Sequence, residues 1–484
     1  MSVRRSLIWT YGAQLFSFLI VFASTVVVAR LVTPRDFGIY GMAVAATTII
    51  NVFMQLGLAK YIMREETVSR DLLRSLFTVN LLMTLVYCCA ILIGSVFSTY
   101  LFQSQEVGRF LLVFALFPLI AMFEFIPSAL AAREMRFGLI SAMAVVRAVV
   151  LASSTVGLAL LGLEYMSFAW AQVLTFAVTA IGFNAAIWRP DVWLLRFSDV
   201  RRIAHFGLQM IGISGISQIN ARLSEMTLGS MLGLGALGLY TRAAGLPGQI
   251  NGIVFSAGSN VIFSRLSSDL RERGEIHKNY LHFMRLLLGL LWPMMIGIAI
   301  LAQPIIALLY GAKWQAAAAP LSLLMIATAI AATIGLTAEV FILRHRTKQQ
   351  VQIEALRAIF GYAAFAAATT VSLTLAAAAK VAEAVFAFLL YRKPMTELVG
   401  GPSGALRSVY FEALLMTVAA VLPAGLLMAW FNNAPETPLP YIVAAVAAGV
   451  LCWALMLIAR RHPLYLELLR VLRRPTAGET SSAT

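Results

Sequence analysis

The sequence predicts an all-α polytopic membrane protein with about 14 transmembrane helices, and three observations carry that expectation. Of its 484 residues, 60% are hydrophobic and only 12% are charged, about half the charge of a soluble domain. The apolar residues gather in runs of about twenty or more, enough for a helix to cross the ~30 Å hydrocarbon core. These runs do not alternate in character, as the strands of a membrane β-barrel would.

Taken in order, the apolar runs place helices at 8–32, 37–59, 75–100, 110–131, 137–162, 166–188 and 206–229, then at 241–263, 284–309, 317–343, 351–373, 376–391, 408–430 and 440–459. The first follows Arg4 and Arg5, like the start of a signal peptide. Its apolar run continues to Leu31 without a small-residue cleavage site, so it reads as a retained helix. The seventh and eighth runs are diluted by polar residues, and only a vague break near Thr374 separates the eleventh from the twelfth. Six helices, a longer connection around 189–205, six further helices and two extra ones divide the chain into 1–200, 201–395 and 396–465. A tail, 466–484, follows, expected to be disordered from about Arg473.

Charge tests the helix count. A formal net charge of +15 would suggest nucleic acid in a soluble protein, but here the positive residues lie between apolar runs, so no nucleic-acid partner is expected. When connections alternate from an inside N-terminus, twenty-eight of the 37 Lys and Arg residues fall on the cytoplasmic side. Only Arg35, Arg109 and Lys313 fall on the other. By the positive-inside rule both termini are cytoplasmic. One helix wrongly inserted early would destroy that asymmetry.

Charge within the membrane is costly and faces a cavity or a partner. Arg147 lies midway along the fifth helix with no acidic residue within a turn. It is either a cavity cation for an anionic ligand, since guanidinium suits phosphate oxygens, or one half of a structural pair with Glu124. Arg222 and Glu225 are three apart and can neutralise each other. With Gln209, Ser217, Gln218 and Asn220 they still give the seventh helix a polar side fit to line a water-filled cavity. Arg242 opens the eighth helix ahead of Gln249, Asn251, Ser256, Ser259 and Asn260, and this helix pair is the expected substrate path. Arg30 either joins it or snorkels to the interface, and Arg35 and Asp36 just beyond are read as solvated. Glu354 with Arg357, and Lys380 with Glu383, read as self-neutralising pairs. Glu339 either couples a proton or sodium ion or, the commoner outcome, bridges to the Arg344 region, and Pro127 is expected to kink the fourth helix.

The sequence contains no Walker motif, HExxH, acidic pair of the DxD type or GxSxG, so no enzyme and no cofactor is expected. The five histidines (His205, His277, His282, His345 and His462) are read as part of the basic interface. Cys88, Cys89 and Cys452 have no metal-ligand spacing.

Several stretches, taken in order, resemble the Wzx-type polysaccharide flippases of the multidrug/oligosaccharidyl-lipid/polysaccharide superfamily, in particular exporters of colanic acid and similar exopolysaccharides. These are ARLVTPRDFGIYGMA from Ala29, QLGLAKYIMREE from Gln55, AAREMRFG from Ala131, LGALGLYTRAAGLPGQI from Leu234, VIFSRLSSDLRERGE from Val261 and LLYGAKWQAAAAPL from Leu308. The resemblance spans roughly residues 1–400. It implies two pseudosymmetric six-helix lobes plus two C-terminal helices in a bacterial inner membrane. It also implies a substrate, an undecaprenyl-diphosphate-linked oligosaccharide, turned over from the cytoplasmic to the periplasmic leaflet for exopolysaccharide or lipopolysaccharide synthesis. A cationic cavity of Arg147, Arg222 and Arg242 fits that diphosphate, and Arg242, in the family-like stretch GLYTRA, is the first choice. Coupling to H+ or Na+, neighbouring polymerase and export machinery, and a monomeric state belong to the same expectation. A peptidoglycan-precursor flippase and a multidrug or cation antiporter are the alternatives within the superfamily.

Overall fold

The computed structural model describes residues 3–54, 58–65, 67–198, 200, 203, 214–273, 275–402 and 404–473. Among them there is no strand, and they pack into two compact units, Met1–Thr241 and Arg242–Thr484. The first holds α1 (Val3–Leu31), α2 (Pro34–Met54), α3 (Leu58–Arg64), α4 (Arg70–Val96), α5 (Ser98–Phe102), α6 (Gln105–Phe114), α7 (Leu116–Arg133), α8 (Phe137–Leu160), α9 (Met166–Ala186), α10 (Ser214–Leu232) and the opening turns of α11 (Leu234–Arg273). The second holds the rest of α11, α12 (His277–Ile300), α13 (Ala302–Tyr310), α14 (Ala318–Ala332), α15 (Thr337–Leu343), α16 (Thr347–Thr369), α17 (Leu373–Val399), α18 (Ala405–Trp430), α19 (Leu439–Ala459) and α20 (Pro463–Arg473).

Eleven described helical stretches are long and apolar enough to cross a membrane. The three expected runs outside that set correspond to α2, α10 and α11. Residues 206–213 of the seventh run lie outside the described residues, and α2 ends beside residues 55–57, which are also outside. The described part of α10 is diluted by Ser214, Gln218, Asn220, Arg222, Ser224 and Glu225.

Local chemistry explains where boundaries depart from hydropathy. The fourth run breaks at Ala115, between α6 and α7. Pro118 lacks the N–H that would bond back to the Phe114 carbonyl. Pro127, the expected kink, lies inside continuous α7. The tenth run is split by Leu336, in the left-handed conformation at φ 63°. Thr370 to Ser372 separate α16 from α17, and the Ser372 hydroxyl caps α17 by accepting from Leu375 N–H at 3.1 Å. The seventh and eighth runs are joined through one residue, Gly233 at φ 85°. Arg242 is therefore two turns inside α11 and not at its start.

Between α1 and α2 the chain turns through a capping box. The Asp36 carboxylate accepts from the Thr33 N–H at 2.8 Å and from the Thr33 hydroxyl at 2.6 Å. Asp36 is thus buried rather than solvated, whereas Arg35 is exposed and pairs with Glu106 at 2.8 Å. A methyl group on Gly38 would collide with the Leu234 carbonyl, and one on Gly238 with the Pro34 carbonyl. The openings of α2 and α11 therefore cross backbone to backbone, which only glycine permits. The two segments also correspond in sequence at an offset of 200: Phe37-Gly38-Ile39-Tyr40 against Leu237-Gly238-Leu239-Tyr240.

In the second unit, α12 packs on α14 and α18, α17 on α14 and α16, and α18 on α19. Arg344 donates to the Leu398 carbonyl at 3.0 Å, satisfying the C-terminal end of α17. Glu339 has no ion pair within 4 Å among the described residues, so the expected bridge to Arg344 is not formed. His462 is also unlike its expectation. It is buried, and its Nδ1 accepts the Leu464 N–H at 3.3 Å, capping α20 ahead of Pro463. Its ring packs against Gly289. Burial, with Arg285 and His282 adding positive charge, pushes its pKa down to about 4. Because the folded value lies below the unfolded one of about 6.5, its contribution is complete above pH 6.5 and is lost as pH falls toward 4. Thermal unfolding of the detergent-solubilised protein should therefore fall more steeply between pH 7 and 4.5 for the wild type than for His462→Asn, which caps without titrating.

Candidate functional site

The charged side chains of the membrane helices are gathered by local packing into separate groups. In the first unit, Glu124 of α7 accepts from Arg147 Nη2 of α8 and, at 2.6 Å, from Thr179 Oγ1 of α9. The Arg147 guanidinium also lies 4.7 Å from the centre of the Phe176 ring. Three helices are thus tied through one carboxylate, and the structural partner expected for Arg147 is the one present. The arginine side chain nevertheless remains 40% exposed. A guanidinium has five N–H donors, so its accessible edge can still meet an anion.

On α10, Arg222 Nη1 meets Glu225 Oε2 at 2.7 Å. Gln218 on the same helix is exposed and Asn220 half-buried. Arg30, at the end of α1, is exposed. The Gln209 position lies outside the described residues, as does the side chain of Ser217.

In the second unit, Arg242 is only 5% exposed. Its guanidinium lies 3.9 Å from the Tyr310 ring centre and 5.8 Å from that of Trp314, so aromatic faces hold the cation. Further along α11, Gln249 has a buried Oε1 that accepts no hydrogen bond among the described residues, and Asn251 is exposed. The side chains of Ser256, Ser259 and Asn260 lie outside the described residues. The two self-neutralising pairs form and join into one network. Arg357 meets Glu354 at 3.4 Å and Glu383 at 3.5 Å, and Lys380 meets Glu383 at 2.9 Å. The Tyr391 hydroxyl donates to Glu354 at 2.7 Å, and Gly361 leaves room for Glu383.

Sequence reasoning missed Thr179, Phe176, Tyr310 and Trp314. Thr179 and Phe176 are unremarkable in the sixth apolar run, Tyr310 and Trp314 lie in the short connection between the ninth and the tenth, and only the fold brings each to a charge. It also missed a cavity of about 340 Å³ between α12, α18 and α19, lined by Pro293, Gly297, Val421, Gly449 and Trp453 and almost wholly apolar.

The family model for "Polysaccharide biosynthesis protein" matches residues 27–319, more than half of the chain. The chain belongs to the polysaccharide biosynthesis protein family. This family member is 22% identical over 329 residues to the succinoglycan biosynthesis transport protein ExoT of Rhizobium meliloti, covering 68% of this chain and 67% of that one. It is 20% identical to the teichuronic acid biosynthesis protein TuaB of Bacillus subtilis, over 94% and 95% of the two chains. With the lipopolysaccharide biosynthesis protein WzxC of Escherichia coli it shares 22% identity over 62% and 61%. Its fold is similar to that of the lipid II flippase MurJ in an inward closed conformation, with a TM-score of 0.75 at 13% identity, covering 96% of this chain and all of that one. An inward-facing multidrug resistance MATE transporter of the MOP superfamily matches at 0.61 and 15% identity, over 79% and 95%. The polysaccharide biosynthesis protein is thus an all-helical, multi-pass membrane protein of the fold that these transporters share.

Proposed function

We propose that this polysaccharide biosynthesis protein flips an undecaprenyl-diphosphate-linked oligosaccharide repeat unit from the cytoplasmic to the periplasmic leaflet of a bacterial inner membrane by alternating access. The observation that carries the reading is Arg147, an intramembrane guanidinium braced by Glu124 and Thr179 yet 40% exposed. A diphosphate head cannot cross hydrocarbon unaided, and a braced, accessible cation offers it a partner on the way. The apolar cavity between α12, α18 and α19 suits a polyprenyl chain that stays in the bilayer. The relatives named for succinoglycan, teichuronic acid and lipopolysaccharide biosynthesis support the polymer class.

The proposed path comprises Arg147, Arg222, Glu225, Gln218, Asn220 and Arg30 with Arg242, Gln249 and Asn251. Arg147 takes first place because Arg242 is caged. The proposed architecture has 14 spans, with both termini cytoplasmic. Its two six-helix repeats, 1–200 and 201–395, are supported by the matched FGIY and LGLY openings 200 residues apart. The chain acts as a monomer beside polymerase and export machinery, with H+ or Na+ as coupling ion. Glu124, Glu225, Glu354 and Glu383 are engaged by cations, which weighs against a cation antiporter, and Glu339, without an ion pair among the described residues, is the carboxylate left to couple an ion. A peptidoglycan-precursor flippase differs only in the head group.

In proteoliposomes, protein-dependent turnover of an undecaprenyl-diphosphate-linked oligosaccharide should drop about tenfold in Arg147→Ala, the loss of one charge-assisted contact. Turnover of lipid II alone would select the peptidoglycan alternative. Turnover of neither substrate, with or without an ion gradient, would overturn the reading.

A further inference from the structure

The second unit holds another cavity, of about 580 Å³, walled by α12, α17 and α18 and distinct from the apolar one. Its lining carries both cationic and apolar side chains. Arg392 of α17 and Arg407 of α18 line it, both exposed, and neither has an acidic partner within 4 Å among the described residues. The tyrosine hydroxyls of the cavity are already committed. Tyr410 donates to the Thr333 carbonyl at 3.2 Å, Tyr280 to that of Gly335 at 3.4 Å, and Tyr391 to Glu354. The wall is therefore fixed, and the two guanidinium groups are its uncommitted donors. Phe411 and Leu414, one and two turns beyond Arg407 on α18, also line the cavity. Phe411 and Leu414 are 63% and 48% exposed, on a face that the membrane's acyl chains would cover.

Two unpaired cations at one end of an apolar track are the complement of an anionic amphiphile. The cavity is large enough for a phosphoglycerol head. We propose that it is a site for an anionic glycerophospholipid of the surrounding leaflet. The phosphate lies between Arg392 and Arg407, and one acyl chain runs along Phe411 and Leu414. Such a lipid ties α17 to α18 at their connection, residues 400–404, where the chain carries three glycines at positive φ. The site is separate from the proposed substrate path and independent of which molecule is transported.

Native mass spectrometry of the full chain, delipidated in mild detergent and titrated with phosphatidylglycerol, tests this directly. One phosphatidylglycerol should bind tightly to the wild type and about tenfold more weakly to Arg392→Gln/Arg407→Gln, on the scale of one charge-assisted contact. Phosphatidylcholine should bind no better to the wild type than to that variant. Leu414→Trp, which fills the track and keeps both arginines, should also weaken phosphatidylglycerol. Both arginines are exposed, so these variants should elute and unfold like the wild type without lipid. Undiminished phosphatidylglycerol binding in the double glutamine variant would overturn the proposal. Inorganic phosphate binding as tightly as the lipid would overturn it in favour of a plain anion site. Tighter binding of undecaprenyl phosphate would overturn it in favour of the carrier lipid.

Discussion

Replacing Gly238 with leucine is expected to leave little folded protein in the membrane, and Gly38→Leu is expected to do the same. At both positions the first side-chain carbon would occupy the space of a backbone carbonyl, that of Pro34 and that of Leu234 respectively. A flexible side chain can move aside, but a helical backbone cannot do so without separating the helices. Overpacking in a close-packed core costs about 1–3 kcal/mol where side chains can yield, and a backbone collision exceeds that range. The measurement is the monodisperse yield and unfolding temperature in detergent, with Gly235→Leu on the same helix as control, since that glycine has open space around it. Wild-type yield and unfolding temperature from Gly238→Leu would mean that α2 and α11 do not cross there.

The second large effect is expected at Glu124. Glu124→Ala leaves the Arg147 guanidinium without its counterion and the Thr179 hydroxyl without its acceptor, both within the membrane. Breaking a fully buried pair costs about 3–5 kcal/mol. With Arg147 40% exposed, a loss of about 1–3 kcal/mol is the discounted expectation. The double variant Glu124→Ala/Arg147→Ala should recover part of the loss, since no unpaired charge remains. A thermal-unfolding cycle over the four proteins measures the coupling. Additive losses in the double variant would show that the two residues act independently, and would remove the brace from the account of Arg147.

Much of the fold was legible because membrane helices announce themselves by length and apolarity. The charge asymmetry that fixes the expected topology could also be counted residue by residue. What could not be read were the breaks and the pairings. Hydropathy carried the tenth run straight through Leu336, whose left-handed conformation is a tertiary constraint with no composition of its own. It left residues 230–240 between the seventh and eighth runs, although all of them but Gly233 lie within α10 and α11 and Gly238 serves a helix crossing. For the site, the i,i+3 pairs were visible because helical geometry puts both partners on one face. The link from Arg357 to Glu383, the Thr179 contact and the aromatic cage of Arg242 join residues distant in sequence. Each depends on packing, which one sequence does not display.

The cluster formed by Glu354, Arg357, Lys380 and Glu383 carries two positive and two negative charges. Its consequence is electrical. A single charge moved through the full membrane potential exchanges about 2.3 kcal/mol per 100 mV with the field, but a neutral quartet that moves as one body exchanges almost none. The helix pair α16–α17 can therefore shift in depth or tilt without the membrane voltage assisting or opposing it. The sensitivity of such a step to voltage passes to whatever uncancelled charge travels with it.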